Sequence, residues 1–424
     1  MVYVIAKDKT PLMPCENVVA RLLLRNGKAK VKSRCPFTIQ LLEEGTAYTQ
    51  KCTHGIDTGS GTIGSAVVAA NGSVLYMSEV QARNDIAQTM TARSKRRRNR
   101  RNRKTRYRPK RFDNRKNSIK EDRFSPTMVS KIHSHEKEIS FASKILPVSR
   151  LIIETATFDP HLILNPGLAD PAVRPWGYQQ GRNYGFQNTR QKVLFRDKYT
   201  CQCCKGKSKD PRKHVHHVIF KSQGGSDDEE NLVTVCETCH KLIHAGLITL
   251  KLKGKRKTSL LHTTQMNGIR KQLLRRYPNA IETFGYVTQE NRYTASLPKA
   301  HCYDACVIAG GGEKLFFKTN AILHKKCVPD GDFQRTKGVR SEQRLPKGKI
   351  SGFLKFDKVR YFGKEYFVKG RMSSGFAILM NIFGETESFS AMPKGYKTPK
   401  LENCRRVGAR KTWIMCDVPI VSAC

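Results

Sequence analysis

The stretch HVHHVIFKSQGGSDDEENLVTVCETCHKLIH, residues 214–244, places five histidines and two cysteines around one asparagine. His216 and His217 are neighbours at the end of a predicted strand, so their side chains can serve two different tasks. His244 lies one helical turn beyond His240, on the same face of a predicted helix. Imidazoles in this order indicate metal binding, acid–base chemistry or both.

Two pairs of cysteines with CxxC spacing enclose this stretch. They are Cys201 with Cys204, and Cys236 with Cys239. Four thiolates in a tetrahedral array form a closed structural zinc site, and zinc would replace the core that so short a region cannot build. Cys203 is a spare that could substitute for a partner. Burial of the cysteines without metal is the alternative, and it leaves the doubled spacing unexplained.

The histidines then suggest phosphodiester hydrolysis, which needs a base for the attacking water and a cation at the phosphate. We predict that His217 takes the water proton and that His216 with His240 holds one Mg²⁺ ion. His244 could join or support that ion. Asn231 is predicted to fix the loop between the strands through hydrogen bonds to the backbone. His214 is predicted to face the surface or the strand, without a catalytic role.

The charge of the chain indicates a polyanionic partner. Lysine and arginine number 78 against 35 acidic residues, which gives a formal net charge of +43. Such a balance favours a nucleic acid, although ribosomal and histone-like proteins reach it without being enzymes. The 424 residues allow roughly two to four domains.

Cysteine usage and hydropathy predict a soluble intracellular protein. The chain has 14 cysteines, but its first residues, MVYVIAKDKT, lack the apolar core of a signal peptide. CxxC pairs in such a chain point to metal in a reducing compartment rather than to disulfides. No apolar run approaches the roughly 18 residues of a membrane span, so no membrane partner is expected.

The basic residues concentrate in the internal run TARSKRRRNRRNRKTRYRPKR, residues 91–111, where 13 of 21 residues are lysine or arginine. Such runs are usually disordered tails or localisation signals. A long helix lying on nucleic-acid phosphates is the alternative that we favour, because phosphates would neutralise its self-repulsion. The predicted nucleic-acid-binding residues are Arg93, Arg96, Arg97, Arg98, Arg100, Arg101, Arg103 and Arg106.

Three acidic residues from distant segments suggest a second site. Asp57, in GIDTGSGTIG, is ambiguous alone, because sugar kinases and actin-like ATPases share that pattern. Glu154 lies in an apolar strand, where an unpaired carboxylate is costly unless it faces a site. Asp304 follows His301 by three residues on a predicted helix, so both share one face. The set suits a nuclease with two Mg²⁺ ions, in which His301 is base or orienter. Each acid could instead be a helix cap or a surface residue.

Other segments give a coarse secondary structure. A strand, a helix ended by Asn26-Gly27 and a second strand are predicted for residues 1–50, and a helix for residues 126–146. Residues 160–185 read as a linker. TFGYVT, residues 283–288, reads as a strand, and the segment from about residue 313 predicts short strands in a small β-barrel.

HVHHVIF, ENLV and CETCHKLIH together resemble the HNH nuclease pattern on a ββα zinc-stapled core. The order GIDTG, IIET, HxxDA resembles the RuvC branch of the ribonuclease H fold. The resemblances imply an α+β multidomain fold: a split RuvC-like domain, an inserted HNH domain, an arginine-rich bridge helix and a C-terminal β-barrel.

The nesting of the HNH segment between Glu154 and Asp304 is similar to the IscB family, transposon-encoded relatives of CRISPR type II effectors. TPLMP, residues 10–14, matches the leading PLMP domain of that family, and the resemblance covers residues 1 to about 312. The implied domains are PLMP 1–50; RuvC-like 51–90, 126–185 and 256–312; bridge helix 91–125; HNH 186–255; and a C-terminal region 313–424 that contacts RNA and the target-adjacent motif.

The resemblance implies an RNA-guided DNA endonuclease that acts as a monomeric ribonucleoprotein with a structured omega RNA. Its HNH site would cut the guide-paired strand of double-stranded DNA, and its RuvC-like site the displaced strand. The implied location is the prokaryotic cytoplasm, at the nucleoid when DNA is bound. Two alternatives stay open: a protein-guided homing endonuclease or resolvase-like nuclease, and a catalytically silent RNA-binding protein.

Overall fold

The computed structural model describes residues 1–44, 48–102, 124–179, 183–250, 252, 254, 260–329, 348–392 and 397–420. The chain forms two compact units. One combines Met1–Thr157 with Gln265–Cys424, and the other is Phe158–Thr264. The second unit is thus an insertion in the sequence of the first.

Ten α-helices fall in the described residues, numbered in chain order: α1 Asn17–Arg25, α2 Ile86–Asn102, α3 Pro126–Ile145, α4 Pro160–Leu164, α5 Arg174–Gln179, α6 Thr189–Arg196, α7 Glu237–His244, α8 Leu261–Arg276, α9 Gly285–Thr294 and α10 His301–Gly310. None of them combines the length and apolar composition that crossing a bilayer requires.

A small sheet opens the first unit. Its strands, β1 Tyr3–Ile5, β2 Ala29–Arg34 and β3 Phe37–Leu41, lie in the order β1-β3-β2. The predicted helix ENVVARLLLRNG is confirmed as α1. The helix ends just before Gly27, and Gly27 itself has a left-handed backbone conformation (φ +68°). Strand β2 escapes prediction because its sequence, AKVKSR, is mostly polar and exposed.

The central sheet of the first unit contains eight strands in the described part of the chain: β4 Cys52–Asp57, β5 Thr62–Ala69, β6 Ser73–Gln81, β7 Val148–Thr155, β10 Ile281–Phe284, β11 Phe316–Phe317, β12 Ala321–Cys327 and β17 Trp413–Pro419. Their order is β10-β7-β4-β5-β6-β12-β17, with β11 also beside β6. Strands β4, β5 and β6 pair antiparallel, and the Asn71-Gly72 turn joins the last two, with Gly72 at φ +77°. Strands β10, β7 and β4 pair parallel.

Helices cover both faces of this sheet. Ile132 and Ile139 of α3, with Ile269 and Leu273 of α8, join the main hydrophobic core on one face. On the other face, α10 packs through small residues such as Ala305 against β5 and β6. The sheet is therefore buried on both sides, which explains its continuous apolar strands.

A separate four-stranded antiparallel sheet follows in the C-terminal region. Its strands are β13 Lys358–Tyr361, β14 Lys364–Arg371, β15 Ala377–Met380 and β16 Arg405–Gly408, in the order β15-β14-β13-β16. A cluster of buried residues that includes Val359, Val368 and Leu379 fills its own core. Closure of these strands into a barrel stays a prediction. Strand β17, which follows β16 in sequence, belongs to the central sheet.

The second unit contains the strand pair β8 Lys213–His217 and β9 Leu232–Cys236, followed by α7. Its buried residues are few, and the four CxxC cysteines lie among them or against them. The predicted linker, residues 160–185, contains the short helices α4 and α5. The structure is therefore mixed α and β, as predicted.

One secondary-structure prediction is wrong. Residues 283–288, TFGYVT, were expected to form a strand, but β10 ends at Phe284 and α9 begins at Gly285. Phe284 has the extended backbone of an N-cap residue, and the first turn of α9 starts immediately after it. β-branched and aromatic residues favour a strand locally, yet packing against the neighbouring elements selects the helix.

Candidate functional site

The four CxxC cysteines meet in the second unit. The sulfur atoms of Cys201, Cys204, Cys236 and Cys239 all lie within 4.8 Å of one another. Cys204 Sγ and Cys236 Sγ are 3.9 Å apart, close to the about 3.8 Å edge of a tetrahedron with zinc–sulfur bonds of about 2.3 Å. The donor set fits a structural zinc ion.

Ser208 supports this cluster from outside. Its Oγ lies 3.4 Å from Cys204 Sγ and 3.0 Å from Cys236 Sγ. The hydrogen bond from Ser208 lowers the pKa of Cys204 to about 6, which favours the thiolate form that binds metal. Cys203 lies near the cluster but outside the set of four.

A second donor cluster lies between β8 and α7. Ring nitrogens of His216, His240 and His244 lie within 4.8 Å of one another. Burial, together with the neighbouring imidazoles, lowers the pKa of His216 to about 4 and also lowers the pKa of His240. Both rings are thus neutral at pH 7, as metal ligands must be. His244, which the sequence left open, completes the cluster.

This all-nitrogen set does not match the Mg²⁺ ion expected on His216 and His240. Mg²⁺ prefers oxygen ligands, whereas imidazole suits zinc, nickel and similar ions. His214 stacks on His240, with ring centroids 5.0 Å apart. It is half-buried on β8 and lies behind the cluster, and its lack of a catalytic role stays a prediction.

His217 points away from the cluster. Its Nε2 lies 2.8 Å from Asp227 Oδ1, and Lys221 Nζ lies 2.8 Å from the same oxygen. If Nε2 carries the proton donated to Asp227, Nδ1 keeps its lone pair. The side chain of His217 is 24% exposed, so water reaches it. This is the arrangement of a general base held by a carboxylate.

Asn231 is fully buried and ties the loop between β8 and β9. Its Oδ1 accepts from Ile219 N at 2.9 Å, and its Nδ2 donates to the carbonyl oxygens of Ile219 and Ser226. Gly225 allows this close packing, because a Cβ there would lie 1.8 Å from the carbonyl oxygen of Ile219. Asn231 therefore positions the strand that carries His217.

The second predicted site lies at the carboxyl ends of β4 and β7 in the first unit. Asp57 and Glu154 are paired across these parallel strands. His301 Nδ1, at the start of α10, lies 2.6 Å from Asp57 Oδ2. Asp304 lies one turn along the same helix. The four residues thus converge from β4, β7 and α10.

Electrostatics show how closely the three acids interact. Burial, with a smaller contribution from the charges of Asp57 and Asp304, raises the pKa of Glu154 to about 7. Burial and then the charge of Asp57 raise the pKa of Asp304. The hydrogen bond to Asp57 raises the pKa of His301. Oxygen donors under mutual repulsion fit hard divalent cations such as Mg²⁺.

Two glycines let α10 approach the sheet. A Cβ on Gly64 would lie 1.9 Å from the carbonyl oxygen of His301, and a Cβ on Gly55 would lie 2.4 Å from that of Ala305. Side chains at either position would push α10 away and move His301 and Asp304 with it. The segment GIDTG thus contains the candidate ligand Asp57, and the glycines of GIDTG and TIGS leave room for the helix that carries His301 and Asp304.

Helix α9 supplies two residues that the sequence did not reveal. Arg292 is buried, and its Nε lies 3.4 Å from Asp304 Oδ1. The buried hydroxyl of Thr288 partly offsets the rise in the pKa of Glu154. Their spacing, i and i+4, would have been a signal only if the segment had been recognised as a helix.

The arginine-rich run is helical as far as it is described. Arg93, Arg97 and Arg98 of α2 are exposed. Arg96, Arg100 and Arg101 are in the same helix, whereas Arg103 and Arg106 lie outside the described residues.

Two segments of the chain match the models of known protein families. Residues 2–181 match the model of the RRXRR proteins, and residues 201–246 match that of the HNH endonucleases. Together the two matches support an IscB-like nuclease. The HNH match of this IscB-like protein includes the four cysteines and the three-histidine cluster.

A third similarity concerns a short part of the IscB-like chain. Over 73 residues, 17% of this chain, it is 30% identical to the Anaredoxin of a Nostoc species, and the match covers 93% of that protein. The chain therefore spans nearly the whole of this small relative.

Proposed function

We propose that this IscB-like protein is an RNA-guided endonuclease that cuts both strands of double-stranded DNA. The observation that carries the proposal is the presence of two chemically distinct constellations in one chain: His217 with a histidine cluster in the HNH segment, and three carboxylates with His301 in the other unit. One hydrolytic site would suffice to cut one strand, and two suit an enzyme that cuts each strand separately.

RNA guidance is supported by the match to the RRXRR proteins and by the charge of the chain. A net charge of +43 suits a protein that holds structured RNA together with a heteroduplex. The exposed arginines of α2 suit phosphate contacts, which carry no sequence information. Sequence would then be read by the guide.

The HNH-segment chemistry starts at His217. Its Nδ1 would accept the proton of the attacking water, while Asp227 fixes the ring through Nε2 and stabilises the imidazolium that forms. Asn231 holds the strand in register. A divalent ion on His216, His240 and His244 would supply charge stabilisation at the scissile phosphate. The four cysteines would hold a structural zinc ion that shapes the unit.

The second site would follow the RuvC-like pattern of the ribonuclease H fold. Asp57, Glu154 and Asp304 would hold two Mg²⁺ ions, which supply activation of water and stabilisation of the leaving oxygen. His301 Nδ1 bonds Asp57, which leaves Nε2 to take up a proton or to orient the water. We also propose the domain bounds predicted from the sequence, and that the C-terminal region contacts the target-adjacent motif.

The test begins with the complex purified after co-expression with the flanking genomic DNA. Sequencing of the bound RNA is expected to give one abundant structured species with a variable end. A DNA target matching that end, labelled on each strand, is then cut with Mg²⁺ for the carboxylate site and with Zn²⁺ or Ni²⁺ added for the histidine cluster. His217→Ala should abolish cleavage of one strand, and Asp57→Ala that of the other. Heterogeneous RNA, or loss of both cuts from one substitution, would contradict the assignment.

A further inference from the structure

Helix α9 presents different chemistry on its two sides. Its inner side carries the buried residues Thr288 and Arg292, which act on Glu154 and Asp304. Its outer side carries Tyr286 and Tyr293, which are 72% and 68% exposed. Residues seven apart lie on the same face of a helix. The element that supports the carboxylate site from within is therefore aromatic on its outside.

A third exposed aromatic residue extends this surface. Phe284 is 39% exposed, and its ring is parallel to that of Tyr286 within 5°, with centroids 6.2 Å apart. Gly285 lies between the two in sequence, and a Cβ on Gly285 would lie 3.2 Å from Glu154 Oε1. The backbone between the two rings thus passes close to a carboxylate of the site.

Parallel exposed rings at this place suit a specific kind of ligand. Large aromatic side chains left in water forgo the stabilisation of burial, so a cluster of them indicates a partner. Nucleobases stack on such rings whatever their identity, provided that they are unpaired, since the faces of bases inside a duplex are already covered. Lys299 is exposed, and its positive charge partly offsets the rise in the pKa of Asp304 caused by burial, so a cation for phosphate is available at the same site.

We propose that Phe284, Tyr286 and Tyr293 form an aromatic platform on which unpaired bases of single-stranded DNA stack as the strand enters the Asp57–Glu154–Asp304 site. The platform rests on the proposed function, because it assumes that this site receives a displaced DNA strand. Its residues are positioning residues: they hold the strand by its bases so that a phosphate lies at the carboxylates.

The binding test uses the full-length complex with its co-purified RNA and fluorescein-labelled (dT)20, measured at several salt concentrations. Phe284→Ala/Tyr286→Ala is expected to weaken binding roughly 5- to 150-fold, the range for loss of one base stack. The slope of log K against log salt should stay unchanged, because stacking releases no counterions whereas phosphate contacts do. Tyr286→Phe keeps the ring and should bind like the parent.

Tyr48 provides the matched control, since it is 88% exposed and lies in a different part of the first unit. Tyr48→Ala should bind (dT)20 like the parent. Thermal melts verify that all variants fold. Equal affinity of the double variant and Tyr48→Ala would overturn the proposal, as would a change in salt slope without loss of affinity. Preferential loss of (U)20 binding would also overturn it, because the partner would then be RNA.

Cleavage kinetics separate this proposal from the proposed function. On a target with a pre-opened displaced strand, the double variant should raise KM for cutting that strand and leave kcat nearly unchanged. If the parent complex cuts neither strand but the double variant still loses (dT)20 affinity, the platform stands and the nuclease proposal fails. If cutting is intact and affinity is unchanged, the platform fails alone.

Discussion

His301 and Asp57 are 244 residues apart in sequence, yet their side chains meet at 2.6 Å. The contact depends on how closely α10 approaches β4 and β5, and the approach depends on glycine at positions 55 and 64. The hydrogen bond between His301 and Asp57 thus depends on the lack of side chains at Gly55 and Gly64, in the strands beneath α10.

Gly64→Ala tests this dependence. The added Cβ would lie 1.9 Å from the carbonyl oxygen of His301, so α10 must shift. We expect a loss of about 1–3 kcal/mol in the free energy of unfolding and a loss of at least tenfold in cleavage of the strand assigned to Asp57. Urea unfolding and strand-specific cleavage measure the two effects.

Gly61→Ala is the control, immediately before β5, because nothing lies within 4 Å of a Cβ there. It should keep parental stability and cleavage. Equal behaviour of the two alanine variants would show that the glycine at position 64 is not needed for the approach.

Asp227→Asn tests the orientation of His217. The amide cannot stabilise the imidazolium as the carboxylate does, so cleavage by the HNH segment should fall by about 10- to 1,000-fold. Rates are measured on the strand whose cleavage His217→Ala reduces most. Cleavage of the opposite strand should be unaffected.

Lys221→Met is the companion change, since Lys221 bonds the same carboxylate oxygen but does not contact the base. A rate within about threefold of the parent is expected, as for an exposed ion pair. A larger loss than that of Asp227→Asn would assign the orienting role to the lysine.

Cys239→Ser tests the zinc assignment. Removal of one of four thiolates should release the metal and unfold the strand pair and α7, because few apolar residues are buried there. Zinc content should fall by about one ion per chain, measured by mass spectrometry of the metal, and the cut made by the HNH segment should vanish. Cys203→Ser lies outside the set and should retain both. Equal zinc contents in the two variants would refute the site.

His54 predicts a pH dependence of stability. It is fully buried, with Nε2 2.8 Å from Ser65 Oγ, and burial lowers its pKa to about 4. The unfolded chain takes up the proton near pH 6.5 and the folded chain only near pH 4, so stability falls as pH falls between these values. The penalty at pH 5 is about 2 kcal/mol.

His54→Gln removes this titration and keeps a polar side chain. Unfolding in urea at pH 7.5 and pH 5.0 should show a smaller pH-dependent loss for the variant than for the parent. An unchanged difference would mean that other groups cause the acid sensitivity, among them His135, whose pKa is also lowered to about 4.

The sequence predicted the elements whose periodicity is strong and whose ends are marked. Helix α3 was expected at residues 126–146 and occupies Pro126–Ile145, where Ser125 caps a start with proline at the first turn. The CxxC pairs needed no tertiary information, because zinc ligation dictates their spacing. Glu154 in an apolar strand and the spacing of His301 and Asp304 suggested a second site, and the family resemblance added the expectation that these residues meet Asp57.

Other parts required the three-dimensional structure. Asp227 is one of several acids in the run SDDEEN, and nothing in that run distinguishes the partner of His217. Helix α9 was hidden by residues that prefer strands, and with it Arg292. His244 was marked by its spacing from His240, but only burial and ring positions show that it joins His216. Contacts made across the fold override weak local preferences.

The position of β17 constrains the order in which this protein can become active during synthesis. The central sheet pairs β12 with Trp413–Pro419, so the last of its described strands joins only after residue 419 has left the ribosome. The inserted unit, Phe158–Thr264, is a separate compact unit that emerges much earlier. The segment that contains the cysteine and histidine clusters would thus be synthesised well before the strand that closes the edge of the central sheet.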